Sequence, residues 1–327
     1  MSKTCVTDKH IGVQMWQAAA IRELGYDVDI KSFSGHARYA GIERQSEIDG
    51  SFGDYDLFVV GFPPVFYREL LKFEKPIIVN CAHRLQIHTT DKKILDKYLE
   101  DNGRIILATM SEYDYQYIIH YLGIEPVKLN VYSFHLKDIP DYSPVKDEFL
   151  VGPANVQKVM PFTKNKFVKM PEYRLDDKSY LKLAEYPGVV VFPYSAWAVS
   201  IAELYDMNIP MFVPSKEYLI RNNYMNDVCL APCYCKAEEM MAFDNPHRET
   251  PHAFSPNSYK YEDMIYWSQY YYVYQKKNTI IFEDEDDLYK KIESTDLKVI
   301  SSRMKAENEA NKKRQLKAWK KILEKYL

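Results

Sequence analysis

Residues 188–215 read GVVVFPYSAWAVSIAELYDMNIPMFVPS, and this stretch decides the fold class. Residues 189–192 are a short, wholly apolar run, the pattern of a strand buried on both faces. Pro193 ends the run, a turn holds Tyr194 and Ser195, and a helix is expected over 196–206. A second apolar run at 209–213 returns the chain to the sheet. Two buried strands joined through a helix form a parallel crossover. The start of such a helix presents free backbone N–H groups and the positive end of its dipole, an anion site that needs no glycine loop. Ser195 serves there as a phosphate contact or as the helix N-cap. Tyr194 is open between site and core. Ser200 and Glu203 lie three apart on one helical face. The apolar neighbours Ile201, Ala202 and Leu204 favour a functional Glu203 over a merely solvated one, and a carboxylate there can accept both hydroxyls of a ribose.

The same alternation extends in both directions. Upstream, strands are expected over 3–7, 26–33, 56–62, 76–81 and 104–109. Helices are expected over 13–24, closed by Gly25, from 90 or 91 to about 100, and from Ser111 to Gly123. Ser111 and Asp114 resemble a capping box. Downstream, strands are expected over 148–151, 166–170 and 279–282, with helices over 176–185, 261–274 and 286–292. A long final helix starts near 302, with Leu316, Trp319, Leu323 and Leu327 on one stripe. Residues 133–147, with Pro140 and Pro144, read as a linker, and 223–258 as an irregular excursion. The expected architecture is α/β: two Rossmann-like domains facing across a cleft, at 1–140 and 145–300. A helix over 301–327 would pack across their junction, with its Lys and Arg solvated. A cleft between two such domains is a natural place for two substrates to meet.

Composition narrows the chemistry. The 327 residues are 46 % hydrophobic and 27 % charged, which excludes a disordered or disulfide-scaffold chain. A net charge of −3 gives no field to recruit nucleic acid or an anionic membrane. The apolar stretch 188–202 falls short of the ~20 residues that span a bilayer, so no transmembrane segment is expected. Residues 1–10 do not read as a secretory signal. Five scattered cysteines fit a reducing, cytoplasmic setting, and Cys229, Cys233 and Cys235 do not have zinc-ribbon spacing. Only 11 residues are Gly, and no G-x-G-x-x-G follows a strand, which disfavours a NAD-linked oxidoreductase. No Asp-x-Asp stands in a suitable strand-end loop, so no metal and no obligatory cofactor are expected. The 28 tyrosines suit the walls of a ligand cleft.

Function concentrates beyond the C-terminal ends of parallel strands. Asp8 and His10 follow the first strand and form a candidate catalytic base, alone or as a carboxylate–imidazole pair; the structural alternative is that Asp8 caps the next helix. Arg84 follows a buried strand and can pair with a phosphate or with an acceptor carboxylate. His83 and His36 are candidates for acceptor contact.

The run Ser200-x-x-Glu203, followed by Asn208-Ile209-Pro210 and a strand ending Val213-Pro214-Ser215, resembles the donor-binding segment of GT-B glycosyltransferases. The resemblance implies that the first domain holds the acceptor and the second the nucleotide-sugar, that Glu203 holds the ribose of the nucleotide and that the preceding turn holds its phosphates. Asn208 stands where Gly is usual, which would change how closely backbone approaches the nucleotide. More narrowly, the chain resembles exostosin-like glycosyltransferases of large algal viruses, of xylosyltransferase type. That likeness rests on Ser32-Phe33-Ser34-Gly35-His36, Ala82-His83-Arg84, Phe149-Leu150-Val151-Gly152-Pro153 and the segment from Phe192 to Lys216. It implies transfer of a sugar from a nucleotide-sugar, UDP-xylose among the donors, to a glycan or glycoprotein, in host cytoplasm. The expected chemistry is inverting and metal-independent. The alternatives are a nucleotide-sugar epimerase or hydrolase on the same fold, and a non-catalytic sugar- or nucleotide-binding protein.

Overall fold

The computed structural model describes residues 2–61, 66–81, 103–129, 131–153, 166–170, 177–193, 195–222, 252–256, 258 and 260–327. The chain divides into two compact units, one of Met1–His135, Cys235–Ala253 and Lys312–Leu327, the other of Leu136–Tyr234 and Phe254–Asn311.

The first unit contains β1 (Lys3–Asp8), β2 (Asp27–Ser32), β3 (Leu57–Val60), β4 (Ile77–Cys81), β5 (Ile105–Thr109) and β6 (Val127–Lys128). All pairs are parallel, in the order β2-β1-β3-β4-β5-β6. Helices α1 (Ile11–Glu23), α2 (Tyr67–Leu70) and α3 (Glu112–Leu122) lie in the connections. On one sheet face Val6, Val28, Val59, Ile78 and Ala108 pack against Ala18 and Ile21 of α1 and against Trp319, Ile322 and Leu323. Gly25 closes α1 in the left-handed conformation (φ 85°): the N–H of Tyr26 reaches the Ile21 carbonyl and that of Gly25 the Arg22 carbonyl. Ser111 caps α3, accepting the Asp114 N–H at 3.1 Å, and its own hydroxyl donates to the Asp114 carboxylate. The expected capping box is thus present in a variant form, with the carboxylate meeting the cap side chain.

The second unit contains β7 (Phe149–Pro153), β8 (Phe167–Lys169), β9 (Val189–Phe192), β10 (Met211–Pro214) and β11 (Ile280–Phe282), parallel and in the order β8-β7-β9-β10-β11. Its helices are α4 (Asp177–Leu183), α5 (Val199–Asp206), α6 (Lys216–Arg221), α7 (Tyr261–Ser268), α8 (Tyr272–Gln275), α9 (Glu285–Ser294) and α10 (Leu297–Tyr326), whose last turns belong to the first unit. Both units are therefore Rossmann-like and wind alike. The second strand lies on one side of the first, and the third and later strands lie on the other. The order reverses between the first and third strands, the place beyond whose strand ends sheets of this kind bind ligands.

Helix α2, strand β6 and helix α6 are not expected from the sequence, and three expected helices differ from its reading. Helix α5 starts at Val199, three residues late. The expected helix over 261–274 is broken, because the Tyr272 N–H donates to the Ala196 carbonyl at 2.8 Å instead of continuing the helical ladder. The final helix begins at Leu297, where Asp296 accepts the Val299 N–H at 3.0 Å. No helix among the described residues is long and apolar enough to cross a membrane.

Asn208 follows α5 at φ 61°, and the bonds Ile209 N–H to Leu204 O and Asn208 N–H to Tyr205 O close the helix. This explains why a Gly-like residue is needed there. Asn208→Ala should lower stability by about 1–2 kcal/mol, the cost of a left-handed L-residue, with a smaller loss for Asn208→Gly in the same urea unfolding experiment. His120 is buried beside His252, and its pKa is pushed down to about 4, by burial first and His252 second. The unfolded chain takes up this proton near pH 6.5, so stability should fall as pH drops from there towards 4. Urea midpoints at pH 7 and pH 5 should differ by less in His120→Gln.

Candidate functional site

In the first unit the site is built at the reversal between β1 and β3. Thr7 pairs with Val60, so Asp8 stands opposite Gly61, the residue after β3. Asp8 is fully buried and its Oδ1 accepts the His10 backbone N–H at 2.5 Å. A Cβ on Gly61 would overlap Asp8 Oδ2 and lie 2.9 Å from its Cγ. Glycine is required here because the carboxylate occupies the side-chain position. The bond to His10 makes Asp8 a support for the entry to α1, close to the capping alternative. His10 is the N-cap residue of α1 in an extended conformation, with no side-chain capping bond.

The loop after β2 is held by two successive serine turns. Ser32 Oγ accepts the Ser34 N–H at 3.2 Å, and Ser34 Oγ accepts the His36 N–H at 3.1 Å. The Phe33 N–H donates to the Asp8 carbonyl at 3.0 Å, tying this loop to the end of β1. The loop thereby brings His36 into electrostatic range of His10. The His10 ring meets solvent, yet the packing around it disfavours the cation and His36 adds a like charge, so its pKa lies below 6.5. His10 is thus the neutral, proton-accepting form at neutral pH. Arg84 and His83 lie outside the described residues, as do Tyr194 and Cys229, Cys233 and Cys235.

In the second unit the reversal falls between β7 and β9, paired through Gly152↔Val191 and Pro153↔Phe192. A Cβ on Gly152 would come within 2.9 Å of Met170 Cβ, so glycine allows the close approach at this strand end. Ser195 is not the helix cap. Its hydroxyl donates to the Trp197 carbonyl, and the N-cap is Ala198, which offers no side-chain capping bond. The first helical bond runs from Ala202 N–H to Ala198 O, so the N–H groups of Val199, Ser200 and Ile201 precede the ladder. Glu203 is 1 % exposed, and its Oε1 accepts the Tyr180 hydroxyl at 3.0 Å. The solvated reading of Glu203 is therefore excluded. Ser200 is half-buried on the same helical side.

The aromatic stretch after residue 260 is packing material. Tyr266 lies against Phe254 with ring centroids 4.8 Å apart, Trp267 Nε1 donates to the Phe254 carbonyl, and Tyr271 and Tyr272 are buried. Sequence reasoning gave Gly61 and Asn80 no role and met Ser34 only within the run from Ser32 to His36. Two of these carried a signal: Gly61 ends a buried strand in a glycine-poor chain, and Asn80 is the only polar residue of an apolar one. Among the described residues no group of three or more His, Cys, Asp or Glu is placed to hold a metal ion.

No family model matches the sequence, and no curated protein is significantly similar to it. Among solved structures the chain is similar to the spinosyn rhamnosyltransferase SpnG complexed with thymidine diphosphate, at 10 % identity and a TM-score of 0.42, over 95 % of this chain and 96 % of that one. It is also similar to the glycosyltransferase SnogD from Streptomyces nogalater, at 10 % identity and a TM-score of 0.45, over 97 % of this chain and 98 % of that one.

Replacing His36 by Gln should raise the His10 pKa, since a like charge is removed. A ring-proton NMR titration of wild type and variant measures it, and an unchanged midpoint would detach His36 from His10.

Proposed function

We propose that the protein is a nucleotide-sugar-dependent glycosyltransferase, inverting and metal-independent, that moves a sugar to a glycan or glycoprotein acceptor. One observation carries this reading. Both units wind alike, and Asp8 and His10 in the first unit and Ser195 in the second follow strands at which the order reverses. The second unit would take the donor, UDP-xylose among the candidates. The N–H groups at the start of α5, with Ser200, face the nucleotide phosphates, and Glu203 takes the ribose. Ser195 acts by shaping the turn through its bond to Trp197.

In the first unit His10 is the general base. Its lowered pKa keeps the imidazole neutral at pH 7. Asp8 is a positioning residue, fixing the His10 backbone from a buried site. The acceptor hydroxyl loses its proton to His10 as its oxygen bonds to the anomeric carbon. The bond from that carbon to the diphosphate oxygen breaks, and the departing negative charge is met by the N–H groups of α5. His36, beside His10, contacts the acceptor. Arg84 and His83 are proposed for donor and acceptor on their place in the sequence alone. Activity in cytoplasm, of a host if the chain is viral, belongs to this proposal as well.

Calorimetric titration with UDP-, GDP- and dTDP-sugars tests the reading, and absence of any nucleotide binding would sink it. Glu203→Gln, which keeps an acceptor for Tyr180, should weaken nucleotide binding by roughly tenfold, about 1.4 kcal/mol. His10→Gln should lower kcat by roughly 100- to 10,000-fold with donor affinity unchanged. The wild-type kcat/KM should fall on the acid side through a pKa below 6.5, and that limb should vanish in the variant.

A further inference from the structure

The strand pairing that sets Asp8 opposite Gly61 continues across the sheet. Val60 pairs with Val79, which sets Gly61 opposite Asn80 on β4. Asp8, Gly61 and Asn80 therefore form one row at the C-terminal edge. All three lie on the face that carries Val6, Val59 and Ile78, two residues back on each strand. Asn80 is 1 % exposed, and neither Nδ2 nor Oδ1 has a hydrogen-bond partner. Gln17 of α1 is equally buried, and its Oε1 is also unmet, while its Nε2 has only the weak acceptor Met110 Sδ at 4.0 Å. Both amides line one cavity, whose walls include Trp16, Tyr132, Phe134 and Trp319.

Buried amide groups are almost always satisfied, and leaving them unmet is unfavourable. An orphaned carboxamide in the same row as Asp8, two strands away, calls for an occupant. The occupant must accept from Asn80 Nδ2 and donate to an amide oxygen, which is the pattern of a hydroxyl. Among the described residues no charged side chain lines the cavity, so they provide for neither an anion nor a cation. The space left is about that of one water oxygen, so it takes a single hydroxyl and not a whole sugar ring.

We infer that Asn80 and Gln17 form a subsite for one hydroxyl of a neutral sugar. The name acceptor subsite rests on the glycosyltransferase reading, but the binding itself does not. Water offers the same chemistry, and the test separates the two sources.

The full chain is titrated with D-xylose, D-glucose and L-rhamnose, with glucuronate as a charged control, reading tryptophan fluorescence and ligand-observed NMR. The expected result is binding of at least one neutral sugar and weaker binding of glucuronate. Asn80→Leu should reduce neutral-sugar affinity at least tenfold, leave nucleotide-sugar binding unchanged, and keep or raise the thermal midpoint, because an orphaned amide is removed. Gln17→Met should act in the same direction and serves if Asn80→Leu does not fold. Equal sugar affinity in wild type and variants overturns the subsite. So does absence of neutral-sugar binding to wild type with a lowered midpoint in Asn80→Leu, which assigns the amides to an internal water. Nucleotide-sugar binding without Asn80-dependent sugar binding removes only the subsite. Asn80-dependent sugar binding without nucleotide binding keeps the subsite and removes the glycosyltransferase reading.

Discussion

Parallel pairing is the constraint on which the rest depends. A parallel strand cannot turn directly into its neighbour, so every connection must cross the sheet, through a helix in most cases. Each unit begins its crossovers on one side of its first strand and then returns to the other. That single reversal opens a crevice at the strand ends. Asp8 and Gly61 occupy it in the first unit, Gly152 and Pro193 in the second. The chemistry proposed for both units is assigned there because the winding leaves strand-end backbone uncovered by a crossover.

The strands were legible in the sequence because burial on both faces writes a continuous apolar run, as in Leu57–Val60 and Val189–Phe192. Helix ends were legible where the signal is local, as at Gly25 and at Ser111. Illegible features depend on partners far along the chain. The loop from Ser195 to Ala198 that precedes α5 receives the Tyr272 N–H at the Ala196 carbonyl, and the same bond splits α7 from α8. His36 joins His10 only through the pairing of β1 with β2, and Asn80 joins Asp8 only through register across β3. Periodicity identifies a strand but not which residues stand side by side once strands align.

The tyrosine excess has a structural use that composition alone did not separate from ligand binding. Buried tyrosines bring a ring to the core and a hydroxyl to a distant polar group. Tyr55 reaches Asp29 at 2.9 Å, Tyr205 the Lys277 carbonyl at 2.5 Å, and Tyr274 the Pro214 carbonyl at 2.7 Å. Glycine scarcity is met in a matching way, with non-glycine residues such as Asn208 and Asn278 taking left-handed conformations.

Asn208 does more than end a helix. Its Oδ1 accepts from Asn308 Nδ2 at 2.9 Å, its carbonyl accepts the Ser301 hydroxyl at 2.7 Å, and Asn308 also donates to the Tyr205 carbonyl at 2.8 Å. A glycine could supply the backbone shape but not the side-chain bond to Asn308. The end of α5 and the first half of α10 are thus fastened at one asparagine. Neither can fray without exposing polar groups of the other, so their amides belong to one cooperative opening unit, protected from exchange together and released together.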